Sequence, residues 1–394
     1  LARSVSKSMK TYYLARMAPA RFGGMLDKLF AKDAQRHLTT KTRDVIEGLT
    51  EDPRLRAVFA AQWGYYGSTP SRSSFAIQAL VVKHFMHGGY YPKGGAGQIA
   101  RTLLQTVADA GGWTAIGADV QEILVEGGRV VGVRLEGDRE VRADRVISAA
   151  GVASTVSRLL PPPYSDDAWA RSVEALEPAP AHVCLYLGFE GDIREAGASG
   201  ANKWFYETWD TEAEGWSVDP EAEELGRAPV LYCSFPSLKD PEHDPGERVR
   251  HTGEVVTFVP YSVFAPWRDE RWKKRGPDYE AFKERLKERM LEQFLEHMPE
   301  LRPMIRYVEL STPVSTEHFV RPMQGSIYGI EPTPGRFENR WLRPRAPIDG
   351  LFFSGSEVAT VGVIGAMMGG VLSAVSAEPV EAVRYLAPLM RRGA

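Results

Sequence analysis

GLFFSGSEVATVGVIGAMMGGVLSA, residues 350–374, carries the pattern that decides how this chain is read. Ile348-Asp349-Gly350 reads as a turn, and the apolar run after it as a buried strand. Ser356 and Glu357 stand at that strand's carboxyl end. From Gly362 a helix is predicted that is too rich in small residues, Gly365, Gly369 and Gly370 among them, for a surface helix. Small residues let another group approach a helix backbone closely. A helix N-terminus also presents free N–H groups and a partial positive charge. A flat ring that gains negative charge on reduction is stabilised at such a place. The rival reading is a glycine-rich core helix that is merely tightly packed. Such a strand, turn and helix usually open a nucleotide-binding domain; here they lie near the chain's end.

A chain of 394 residues has room for two domains, or for one large domain with another inserted. Its 43% hydrophobic and 25% charged residues are those of an ordinary soluble globular protein. A net charge of -3 gives no electrostatic case for nucleic acid as a partner. Cys184 and Cys233 each sit in an apolar strand-like run, without the short spacing of a zinc site or a redox dithiol, and read as reduced core thiols. There is no signal-peptide pattern and no apolar run long enough to span a bilayer. The reading is therefore cytoplasmic, with peripheral membrane contact through the N-terminal helices left open.

Residues 1–87 read as mostly helical, through MLDKLFAKDAQRHL, TRDVIEGL and PRLRAVFAAQW. GGYYPKGG interrupts the pattern, and a helix follows in GQIARTLLQTVADAGG. Glu126-Gly127-Gly128 signals a hairpin, and RVISAAG a further strand. The region from about 175 to 335 is strand-rich (AHVCLYLGFE, APVLYCSFP, EVVTFVPYS). It also holds one amphipathic helix, with Tyr279, Phe282, Leu286, Met290, Phe294 and Met298 as its apolar stripe.

Other motifs weigh less. Gly95-Ala96-Gly97-Gln98-Ile99-Ala100, with Asp119 downstream, matches a dinucleotide pattern. Tyr90, Tyr91, Pro92 and Lys93 stand where its strand belongs, so a helix-start turn is the better account. His84 and His87 could share a helix face, but spacing suggests no third ligand, so no metal site is expected.

YYPKGGAGQIARTLLQTVADAGG, RVISAAG and GLFFSGSEVATVGVIGAMMGG, in this order, resemble the FAD-dependent phytoene desaturase, carotenoid isomerase and retinol saturase family. SFPSLKDPEHDPG, KRGPDYEAFKE and GSIYGIEPTPG are closest to the retinol saturase-like branch. The resemblance covers residues from about 75 to 375. It implies an α/β fold in which a discontinuous, Rossmann-like FAD-binding domain, here incomplete, accompanies a strand-rich substrate domain and a helical N-terminal region. The implied layout is 1–87 helical, 88–160 and 341–394 in the FAD domain, and 161–340 in the substrate domain. Gly355, Ser356 and Glu357 would lie along the ribityl–pyrophosphate part of FAD, with Glu357 on a ribityl hydroxyl. Gly362, Val363, Ile364 and Gly365 would face the pyrimidine edge of the ring. Val120 would pass the adenine, and Ala149, Ala150 and Gly151 would line the dinucleotide. Family members open with a strand, G-x-G-x-x-G and a helix. Residues 1–87 contain no such element, so the chain is expected to be an N-terminally truncated member.

The implied activity is FAD-dependent saturation of an alkene in a long, apolar polyene of retinoid or carotenoid type, a lipophilic small molecule, with NAD(P)H a candidate electron donor. Tyr328 is the candidate polar group near the alkene, and Tyr261, Phe264 and Trp267 are candidates to line the substrate channel. For each the competing reading is structural: a turn-capping tyrosine and core aromatics. Desaturation or cis–trans isomerisation of a polyene, amine oxidation by a related flavoenzyme, and a non-catalytic carrier or inactive fragment remain alternatives.

Overall fold

The computed structural model describes residues 1–17, 31–213 and 215–392. Helices α1 (Ala2–Arg16), α2 (Lys32–Thr39), α3 (Phe75–Phe85) and α4 (Gly97–Asp109) come first. Strands β1 (Val120–Glu126), β2 (Arg129–Leu135), β3 (Glu140–Arg142) and β4 (Val146–Ser148) follow. Next are β5 (Ala181–Glu190), β6 (Lys203–Tyr206), β7 (Val230–Ser234) and β8 (Arg250–Val259). Helix α5 (Pro277–His297), β9 (Ile305–Ser311) and α6 (Pro313–Val320) lead on to β10 (Leu351–Phe353), α7 (Gly362–Ala377) and α8 (Pro379–Arg392). Shorter helical turns lie between. Residues 25–30 of the expected first helical run lie outside the described residues; its end, 32–39, is α2.

The chain divides into two compact units, one of Leu1–His87, Gly117–Ala179 and Arg321–Ala394, the other of Gly88–Ile116 and Pro180–Val320. Residues 88–116 therefore group with the strand-rich unit, and 161–179 and 321–340 with the first.

The second unit is built on an antiparallel sheet in the order β6-β7-β8-β5-β9. Strand β5 alternates as a half-buried strand must. Val183, Leu185, Leu187 and Phe189 point to one face and are buried in the core. Against them packs the stripe read from the sequence, with Tyr279, Phe282, Leu286, Met290 and Phe294 of α5 and Met298 just beyond it all buried. Each such side chain contributes about 1.5–3 kcal/mol through loss of apolar surface from water. The other face of β5 carries His182, Cys184 and Tyr186, opposite Phe258, Val256 and Glu254 of β8.

Beside this core, Glu207 accepts from Arg227 Nε at 3.0 Å, His297 Nε2 at 2.8 Å and Gln293 Nε2 at 3.1 Å. Burial opposes its charge, yet the hydrogen bonds from Arg227, His297 and Gln293 outweigh burial and bring its pKa from 4.5 down to about 2. A depressed carboxylate pKa stabilises the fold above the unfolded value, and that stability is lost as pH falls through the folded one. The denaturation midpoints of wild type and Glu207→Gln are thus expected to differ at pH 6 and to converge as pH falls from about 4.5 toward 2. A constant difference across that window would contradict the assignment.

The first unit is held together by ties between distant segments. In α1, Val5, Met9, Tyr12 and Ala15 are buried, so its apolar stripe is core. The buried Arg16 guanidinium donates to the carbonyls of Asn339 at 2.8 Å and Phe337 at 2.5 Å. Glu331, 3% exposed, accepts from Ser68 Oγ at 2.6 Å and Arg72 Nη2 at 2.5 Å. Arg321 grips Asp119 through two bonds of 2.6 and 2.5 Å. The hairpin β1–β2 turns where the sequence places it, Glu126 opposite Arg129. The parallel sheet has two strands among the described residues, with Leu351, Phe352 and Phe353 of β10 beside Val146, Ile147 and Ser148 of β4. The buried strand expected after the Ile348-Asp349-Gly350 turn is β10, bounded by bends at Gly350, at φ +78°, and Gly355, at φ +97°.

Helix α4 starts at Gly97, and no strand precedes it among residues 88–96. The turn is pinned instead within its own unit: Gly94 N–H donates to Asp240 Oδ1 at 2.9 Å, and Lys93 pairs with Glu242 at 3.0 Å. The G-x-G-x-x-A match is a helix start.

Candidate cofactor site

Strands β4 and β10 run parallel and end side by side, and Ser354 N–H donates to the Ser148 carbonyl at 2.8 Å. In open α/β sheets ligands bind beyond such carboxyl ends. Ala149 and Ala150 follow β4 and are exposed, while Gly151 turns the chain at φ +94°. Gly355 and Ser356 follow β10 and are half-buried. Helix α7 then starts at Gly362, leaving Val363 and Ile364 exposed in its first turn.

Helix α7 approaches this turn closely. A Cβ at Gly369 would lie 2.1 Å from the Gly355 carbonyl oxygen, and one at Gly365 1.5 Å from that of Thr360. Both glycines therefore answer a close contact between backbones. They set the first-turn N–H groups of α7, which have no acceptor within the helix, beside the carboxyl end of β10.

Glu357 is buried at 8% exposure and its carboxylate serves the backbone. One oxygen accepts from Val152 N–H at 2.5 Å and Ala153 N–H at 3.2 Å, the other from Ile330 N–H at 3.2 Å. Three of the roughly four acceptor positions of a carboxylate are thus taken. The buried Arg336 reinforces the same corner, donating to the carbonyls of Ile330 at 2.5 Å and Ser356 at 2.6 Å. Burial pushes the Arg336 pKa down, and the Glu357 charge works against that shift.

Residues 149–151, 355–357 and 362–365 are thereby brought together. Val120 opens β1, opposite Leu135 in the three-stranded antiparallel sheet. Tyr328 belongs to the strand-free turn that also supplies Ile330; its hydroxyl donates to the Gly64 carbonyl at 3.4 Å. Phe264 is fully buried, 5.7 Å from the Phe282 ring, and Trp267 packs on Tyr279 and Phe282 at 5.6 and 6.0 Å. Tyr261 donates its hydroxyl to Glu317 Oε2 at 2.5 Å. These three aromatics belong to the α5 side of the sheet. Sequence reasoning missed Arg336 and Ile330. The run RFENRWLRPR holds four arginines, and nothing in it distinguishes the one that the fold buries against Glu357.

The donor set fits a flavin. An electron-rich ring has helix N–H groups and an exposed apolar first turn to lie against, and the glycine backbones at 151, 355 and 362 leave room for close approach. Among the described residues, no group of three or more histidines, cysteines or acids is placed to hold a metal, and no helix is long and apolar enough to cross a membrane.

The family model of the flavin containing amine oxidoreductases matches residues 27–377. The chain is 32% identical over 361 residues to the all-trans-retinol 13,14-reductase of Danio rerio, a match spanning 88% of this chain and 58% of that protein. It is 26% identical over 343 residues to the 4,4'-diapolycopene oxygenase of a Methylomonas species, covering 86% and 64% of the two chains. The chain thus spans somewhat over half the length of these relatives. An oxidoreductase from Methanosarcina mazei shares the fold with a TM-score of 0.56 at 17% identity, over 84% of this chain and 66% of that one. On the span of the family match and the glycine-packed turn beyond β10, this chain belongs to the flavin containing amine oxidoreductase family.

Proposed function

We propose that the chain serves an FAD-dependent oxidoreductase that saturates an alkene in a long, apolar, conjugated polyene of retinoid or carotenoid type. The observation that carries this reading is the join of β4, β10 and α7, where backbone N–H groups and apolar side chains come together at the candidate site. The likeness to a retinol reductase supports the substrate class. A reduced flavin held by residues 149–151, 355–357 and 362–365 would supply the hydride for one alkene carbon, with a proton at the other completing the saturation. The chain's own part is to hold and position. Gly365 and Gly369 let α7 come close, Glu357 fixes the loops at Val152 and Ile330, and Val363 and Ile364 offer apolar surface. NAD(P)H is the candidate source of electrons.

The test is anaerobic incubation of the chain with FAD, dithionite as reductant and all-trans-retinol. The expected result is a polyene heavier by two hydrogens with one conjugated double bond fewer. An unchanged polyene, together with peroxide release from putrescine in air, would favour amine oxidation and overturn this reading.

A further inference from the structure

We propose that the second unit holds a separate binding site for an organic carboxylate with an apolar body, in a cavity beside the edge strand β9. The cavity, about 440 Å³, is formed by the start of β5, the end of β9, the N-terminal part of α5 with the loop before it, and α6. It is far larger than a bare ion needs and lies in the size range of small-molecule sites.

Arg275 makes the case for an anion. It is 6% exposed and lines the cavity. Its Nη2 donates to the Val314 carbonyl at 3.0 Å, and its guanidinium lies 5.2 Å from the centre of the Tyr279 ring. Its Nε has no hydrogen-bond partner, and no carboxylate among the described residues forms an ion pair with it. A buried charge without a counter-ion is costly, so proteins pair it. His182 also lines the cavity, and its Nδ1 is buried without a hydrogen-bond partner. Burial pushes the His182 pKa down to about 4, so at neutral pH the ring is uncharged and can donate one N–H. Three cationic residues (Lys273, Arg275 and Lys283) line the cavity against two acids (Glu280 and Glu309). Glu309 already accepts the Tyr307 hydroxyl.

The rest of the wall argues for a body behind the anionic head. Trp272, Tyr279, Leu310 and Phe319 give it apolar and aromatic surface. The Trp272 ring is held by a near-parallel stack on His318, with centroids 5.5 Å apart. A planar guanidinium in the wall, without a carboxylate partner, matches the geometry of a carboxylate. A single buried cation and one neutral histidine are a poor match for a phosphate dianion.

The test compares laurate with 1-dodecanol, the same chain without the charge, by titration calorimetry on the whole chain. Laurate is expected to bind at least about tenfold more tightly than dodecanol. In Arg275→Met that preference is expected to vanish while the fold survives, since the variant removes an uncompensated charge. Thr316→Trp, which fills the cavity, is expected to abolish binding of both. Equal binding of the two ligands, binding of neither, or an unchanged preference in Arg275→Met would overturn the proposal. Inorganic phosphate displacing laurate at equal concentration would overturn the carboxylate assignment.

Discussion

Gly369→Ala is expected to destabilise the first unit by about 1–3 kcal/mol and to abolish flavin retention. The added methyl would sit 2.1 Å from the Gly355 carbonyl oxygen and 2.8 Å from that residue's carbonyl carbon and nitrogen. Those atoms are backbone, so nothing short of moving α7 away from the turn beyond β10 relieves the overlap. Gly370→Ala is the matched control. The same methyl one residue along would meet only the Ser354 hydroxyl, at 3.9 Å. That variant exchanges glycine for the best helix former and is expected to be neutral or more stable by up to about 1 kcal/mol. Chemical denaturation of both variants checks the pair. Equal stability of the two would show that α7 is not closely packed on the turn.

Glu357→Gln is the second large effect. The carboxylate offers Oε2 to Val152 and Ala153 and Oε1 to Ile330. A glutamine has one acceptor oxygen, and its NH2 must face an N–H on one side or the other. At least one buried donor is left without a partner, at about 1–3 kcal/mol each. The expected outcome is a loss of about 2–4 kcal/mol by urea denaturation, together with weaker FAD binding at temperatures where the variant is folded. Unchanged stability would mean that the carboxylate does not organise these loops.

What the sequence made legible follows from locality. The stripe of α5, the hairpin at 126–128 and the apolar run of β5 each arise from residues a few positions apart, where period and turn chemistry can be read directly. The glycine spacing of 362–370 was legible for the same reason: Gly365 and Gly369 are four apart and share one helix face. The partners of that face were not. That the contact at Gly369 is the backbone of Gly355 depends on how β10 and α7 fold back on each other. Long-range polar ties were invisible in the same way. Asp119 with Arg321, Glu331 with Arg72, and Glu357 with Val152 join residues about 200 or more positions apart. An acid in an apolar setting such as GIEPTPG needs a cation, but its identity is a property of the fold. The placement of Phe264 and Trp267 against α5 shows the converse limit. An aromatic cluster reads the same whether it lines a channel or a core.

The central claim is that the turn where β4, β10 and α7 meet holds a flavin. It is tested by adding FAD to the purified chain, passing the mixture through gel filtration and recording the absorbance of the protein peak. Wild type and Gly370→Ala are expected to carry the bands of oxidised flavin, and Gly369→Ala to elute without them. Wild-type protein that emerges colourless, or Gly369→Ala protein as yellow as wild type, would contradict the account.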